Sequence, residues 1–215
     1  MSKQPNSQKN KHQGFWYRAV DSILIIIGLS CIGLVVIDQQ QAPMPQLQNE
    51  TVATETKSTA SLPHSEPTNV RIPSIKVDSA LINTGLNADG SPAVPTGADV
   101  DKAAWLTASA SPGETGTSVI IGHVDTLKSG PSVFFELGKL LPGQKVYVSR
   151  QDGQTAVFTV SAVRAYDQDN FPNQTVYGNA DSPVLRLITC GGTWDASKKQ
   201  YSENIVVFAA LSEEK

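Results

Sequence analysis

The chain has 215 residues, with 17 Lys and Arg set against 20 Asp and Glu for a formal charge of −3. That near balance, with a pI of about 5.6, excludes the basic face of a dedicated nucleic-acid binder. Two cysteines, Cys31 and Cys190, supply neither a disulfide framework nor a Cys-rich zinc site, and His12, His64 and His123 are too scattered for a histidine metal cluster.

Residues 1–18 carry Lys3, Lys9, Lys11 and Arg18 and no acidic residue. Residues 19–37, AVDSILIIIGLSCIGLVVI, follow as an apolar run interrupted only by Asp21. As a helix this run reaches roughly 28 Å, close to the hydrocarbon thickness of a bilayer. Phe15, Trp16 and Tyr17 stand where an interfacial aromatic belt would lie, and the basic flank is expected to stay cytoplasmic. The run is too long for the apolar core of a cleaved signal peptide, and VVIDQ is a poor cleavage site. The expectation is a single-pass membrane anchor, with a cytoplasmic N-terminus and everything downstream extracellular. Residues 38–68 are rich in Gln, Thr, Ser, Pro and Glu, have little to bury, and read as a flexible extracellular linker.

Residues 69–215 form the folded part. Strands are expected at 72–81, 118–124, 145–149, 156–166, 184–190 and 204–211, where β-branched runs alternate with Gly, Pro, Asn and Asp. VIIGHV and VLRLITC are apolar on both faces, as strands buried on both sides would be. One short helix is expected at 133–140, closed by Pro142-Gly143. Many strands with one or two helices predict a mainly β domain, closed or nearly closed into a barrel.

The chemistry rests on two strand ends. Cys190 stands last in VLRLITC, before Gly191-Gly192, where the chain is expected to turn away and leave the thiol beside an open edge. His123 follows Gly122 at the end of VIIGHV and is the one histidine of the folded part. Side by side, the two would supply a thiol nucleophile and an imidazole to move its proton. The plainer alternative makes Cys190 a small core hydrophobe and His123 a packing residue. Alternation puts Arg186, Ile188 and Cys190 on one strand face and Leu185, Leu187 and Thr189 on the other.

With IGHVDT, LITCGG, PGETGTSVIIGHVD and YSENIVVFA in place, the chain resembles a sortase, closest to the class F branch, from about Ile72 to Ala209. The resemblance implies an eight-stranded β-barrel behind a membrane anchor and the activity of a cysteine transpeptidase. It makes Cys190 the nucleophile and His123 the general acid/base, with Thr189 and Asp125 as supporting neighbours. Asp125 is expected either to orient His123 or to cap the following turn. The family also places an arginine on the strand after the cysteine loop, and this chain has none in QYSENIVV. Asn204 falls near that place. Arg186, four residues before Cys190 and roughly 13 Å away along the strand, is the other candidate for holding substrate or oxyanion.

The implied partners are secreted proteins with an LPxTG-like C-terminal sorting signal, and an amine acceptor from a cell-wall peptide stem or a pilin-like lysine. The bilayer is engaged through the N-terminal helix, and no nucleic acid, metal or organic cofactor is implied. Two other functions use the same residues: an anchored cysteine peptidase that hydrolyses the thioester, and an anchored β-barrel that binds without catalysis.

Overall fold

The expected strands are present with shifted ends, some cut short by turns and others, such as the one through Cys190, longer. The computed structural model describes residues 41–46 and 60–212, and the anchor expected at 19–37 lies outside them. Among the described residues no helix is long and apolar enough to cross a membrane.

Among the described residues ten strands run in chain order: β1 (Pro67–Ile72), β2 (Val77–Thr84), β3 (Ala103–Leu106), β4 (Gly116–Ile121), β5 (Asp125–Thr126), β6 (Gly130–Pro131), β7 (Lys145–Arg150), β8 (Thr155–Asp167), β9 (Pro183–Asp195) and β10 (Gln200–Leu211). The strand expected at 72–81 is two strands, because Pro73 starts a 3-10 turn over Pro73–Ile75 and Lys76 takes a left-handed conformation, φ 56°. β3 was not expected. AAWL is a buried four-residue strand too short to show a period.

Eight strands close the barrel in the order β1-β2-β3-β4-β9-β10-β8-β7, with β7 returning to β1. Two neighbouring pairs are parallel, β2 with β3 and β4 with β9; the rest are antiparallel. Closure leaves no free barrel edge. β5 and β6 form a separate small hairpin just after His123.

Alternation sorts the side chains. Leu185 and Leu187 of β9 and Ile205, Val207 and Ala209 of β10 point into the barrel with Phe134, Leu137 and Phe158. Ile188, Val206 and Phe208 point outward, into a second cluster with Leu106, Val119, Ile121 and Val176. That outer cluster is covered by α1 (Asn173–Tyr177), which the sequence reading did not anticipate. The helix expected at 133–140 is instead a set of turns ending in a 3-10 segment, Leu137–Lys139. Its Phe134, Leu137 and Leu140 still plug the barrel core.

Contacts of the barrel reach upstream of residue 69. Leu62 packs against the core, and its N–H donates to Gly113 O at 2.8 Å. The Arg150 side chain is fully buried and donates to the carbonyls of Pro63 and Pro112 and to Asp152. It ties the approach to β1 onto the barrel. Residues 41–46 also touch the domain. Ala42 is buried, Met44 Sδ lies 3.2 Å from Gly192 N, and Gly138 is packed so tightly that a Cβ there would stand 1.9 Å from Pro43 O. The polar composition that reads as a tether does not prevent this, because a few Pro, Ala and Met contacts suffice to hold six residues.

Arg150→Met retains the aliphatic bulk but strands two carbonyls and a carboxylate. It is expected to lower unfolding stability by about 3 kcal/mol, read as a lower denaturant midpoint at unchanged m-value. An unaltered midpoint would show that water serves those carbonyls equally well.

Candidate active site

The parallel pairing of β4 with β9 builds the site. The ladder runs in register from Gly116 opposite Pro183 to Ile121 opposite Ile188, and Gly122 N donates to Ile188 O at 3.1 Å. Two residues past the final pair on one strand comes His123, and two past it on the other comes Cys190. Neighbouring strands lie about 4.8 Å apart, so the ladder delivers both residues to the same end of the barrel. Both line one cleft of about 890 Å³. Its wall is apolar where Leu106, Val119, Ile121 and Ile188 reach it, and polar towards Gln168, Asn173 and Asn204.

Gly122 is required by packing. A Cβ there would stand 2.6 Å from Val133 Cγ1 and 2.8 Å from Phe134 Cδ2, so a larger residue would push away the segment that plugs the barrel. The half-buried His123 ring is held by Nε2, 2.8 Å from Pro95 O. A carbonyl only accepts, so Nε2 carries the hydrogen and the Nδ1 lone pair is left to receive a proton. Asp125, expected either to orient His123 or to cap a turn, accepts instead from the Tyr201 hydroxyl at 2.5 Å. That bond joins the loop after His123 to the hairpin after Cys190. Pro95 acts through its backbone, for which sequence carries no signal. Tyr201 lies in the YSEN string but becomes a partner of Asp125 only through the β9–β10 register.

Cys190 does not end its strand. β9 continues to Asp195, and β10 pairs with it throughout apart from a register shift between Tyr201 and Glu203. The two glycines serve close packing and not an open edge. At Gly191 a Cβ would meet Ile205 Cγ1 at 2.7 Å, and at Gly192, with φ +76°, it would meet Ser202 Oγ at 2.4 Å. The thiol remains free and partly exposed on the cleft side. Burial, and then the nearby Asp125 carboxylate, push its pKa above the ordinary thiol value. The resting group at neutral pH is therefore the thiol.

The two candidates for the third element separate. Asn204 is paired directly opposite Cys190 across the β9–β10 ladder and lines the cleft. Arg186 points to the same side of β9 but stands outside the cleft lining. Its Cζ lies 4.5 Å from the Phe208 ring centroid, Nη1 donates to Leu185 O, and the buried Nε has no partner. Burial lowers its pKa. Thr189 is buried, with its hydroxyl also unpartnered. Trp194 is exposed and packs edge-on against Tyr201, while Trp105 is a core residue donating to Ala110 O. Among the described residues no cluster of His, Cys, Asp and Glu could hold a metal ion.

The sortase domain family model matches residues 70–212. The chain belongs to the sortase family. Membership makes it a cysteine transpeptidase in general terms. Among solved structures, this sortase is similar to sortase C-1 from Actinomyces oris, with 20% identity over 68% of this chain and 73% of that one and a TM-score of 0.53. It is also similar to a lid mutant of sortase A from Corynebacterium diphtheriae, at 18% identity, coverage of 68% and 70%, and TM-score 0.51. Sortase C1 from Streptococcus agalactiae gives 19% identity, coverage of 69% and 68%, and TM-score 0.51. At these identities the likeness is one of fold. No curated protein matches the chain.

Because the Asp125 charge opposes thiolate formation, Asp125→Asn is expected to move the midpoint of Cys190 alkylation by iodoacetamide to lower pH. Asn can still accept from Tyr201, so the hairpin contact is retained. A midpoint unchanged or raised would show that the carboxylate does not act on the sulfur.

Proposed function

We propose that this sortase, a class F-like member, cleaves an LPxTG-like sorting signal through a Cys190 thioester and passes the acyl group to an amine. The observation that carries the reading is the shared cleft of Cys190 and His123 at the matched ends of β4 and β9.

The signal lies extended along the cleft, with an apolar side chain against the wall of Leu106, Val119 and Ile188. As Cys190 Sγ approaches the threonine carbonyl carbon, its proton passes to His123 Nδ1. The S–C bond forms, and the oxyanion is held by backbone N–H groups and by Asn204. The C–N bond to glycine then breaks, and His123 returns the proton to the departing amine. An incoming amine attacks the thioester and gives its proton to His123; the C–S bond breaks, His123 passes that proton to the departing sulfur, and an amide bond and the free thiol result. A thioester is activated towards amines, so the second step needs no energy source, and excluding water from the cleft favours transfer over hydrolysis.

The acceptor is a cell-wall peptide stem or a pilin-like lysine, and the donor a secreted protein with the signal at its C-terminus. The apolar run at 19–37 and its basic flank support the further reading of a single-pass anchor in a bacterial plasma membrane, with the catalytic domain outside.

Incubating the protein with a tagged sorting-signal peptide is expected to add the acyl mass to Cys190, and to yield acyl-amine product when an amine is supplied. Cys190→Ala should abolish the adduct, and His123→Ala should slow product formation at least about 100-fold. An adduct persisting in Cys190→Ala would remove the nucleophile assignment. Product that is only hydrolysed peptide, at any amine concentration, would make the protein a peptidase.

A further inference from the structure

Gln168 begins the 3-10 turn Gln168–Asn170 at the end of β8, a turn fixed by Asp167, whose side chain accepts from Asp169 N at 2.8 Å. β8 pairs with β10, Tyr166 standing opposite Asn204, so the turn brings Gln168 over the start of the β10 segment that faces Cys190. There the Gln168 side-chain amide makes two bonds from one nitrogen: Nε2 donates to Glu203 O at 3.3 Å and to Asn204 Oδ1 at 3.2 Å. Gln168 and Asn204 are both half-buried and both line the cleft.

The first of these bonds determines the second. Glu203 O is a backbone carbonyl and can only accept, so the NH₂ end of Gln168 must face it. The same NH₂ then faces Asn204, which must answer with its carbonyl oxygen. Asn204 is left with both hydrogens of Nδ2 directed away from Gln168. Because Asn204 sits opposite Cys190 on the same face of the sheet, where directly opposed Cβ atoms lie about 4.5–5.5 Å apart, those hydrogens are within reach of a carbonyl oxygen bonded to the attacked carbon.

We propose that Gln168 is a positioning residue that fixes the amide orientation of Asn204, making Asn204 a neutral donor to the oxyanion formed at Cys190. This inference rests on the thioester reading above and deepens it. No cationic side chain is needed at the oxyanion. The preorganisation comes from a backbone carbonyl relayed through two amides, and a fixed dipole needs no reorientation as charge develops. Removing Gln168 frees the Asn204 amide to rotate and present Oδ1, which repels the oxyanion. A Glu at 168 does more, since its carboxylate accepts and draws Nδ2 away from the cleft.

The test compares two reactions of the same sulfur in the full chain. Acylation by a sorting-signal peptide, followed by intact mass in single turnover, passes through a tetrahedral oxyanion. Alkylation by iodoacetamide does not, and reports thiol reactivity and folding alone. Asn204→Ala is expected to slow acylation about 100-fold and Gln168→Ala about 10-fold, with alkylation rates within about twofold of the parent in both. Gln168→Glu should slow acylation more than Gln168→Ala and beyond any fall in its own alkylation rate, since the added carboxylate disfavours the thiolate as Asp125 does. The double variant Q168A/N204A should be no slower than Asn204→Ala, because Gln168 acts only through Asn204. Acylation unchanged in the Gln168 variants, alkylation falling in parallel with it, or independent effects that multiply in the double variant would each overturn the inference while leaving the thioester reaction in place. A parent that alkylates but never acylates would overturn both.

Discussion

The parallel, in-register pairing of β4 with β9 is the constraint on which the site depends. Two segments some 70 residues apart in sequence must run in the same direction and stop at the same level. A slip of one residue would turn one of the two side chains from the cleft into the barrel interior, since the side-chain period of a strand is two. The register is held from both sides of the sheet. Leu185, Leu187 and Ile120 belong inside the barrel, and Val119, Ile121 and Ile188 belong in the outer cluster. Burial on both faces makes slippage costly, and the chemical geometry is a by-product of packing.

The same logic explains the glycines beside the reactive residues. Gly122 lets the barrel plug of Val133 and Phe134 close against the end of β4, and Gly191 lets Ile205 close against β9. In both places backbone comes close enough to neighbouring side chains that a methyl group would not fit. The thiol and imidazole are therefore carried on backbone that is tightly packed, even though their own side chains face a cleft.

The electrostatics of the cleft hold the thiol protonated. Burial and Asp125 both disfavour the thiolate, so the sulfur does not carry a standing charge waiting for substrate. Asp125 is itself engaged by Tyr201, whose own ionisation is pushed well up by burial and by that carboxylate. On the proposed mechanism, nucleophilicity is generated at the moment of attack by proton transfer to His123, whose Nε2 faces Pro95 O.

Much of the fold is legible in the sequence. β-branched runs punctuated by Gly and Pro marked most of the barrel strands, and the apolar strings VIIGHV and VLRLITC marked β4 and β9. Cys190 and His123 stood out because each follows such a run, and local patterning alone carries that information. Strand closure, the position of β3, the turns at 133–140 and the helix at Asn173–Tyr177 depend on contacts made from outside each segment, where local period is silent. The partners of the reactive groups were invisible for a sharper reason. Pro95 contributes a backbone oxygen, Tyr201 reaches Asp125 across a hairpin, and Gln168 reaches Asn204 across a ladder. Arg186, whose spacing along β9 made it a candidate, is drawn instead onto Phe208. Sequence alone determined which side chains could carry chemistry. Which of them share a cleft, and which way their hydrogens point, was decided by strand register and by carbonyls that can only accept.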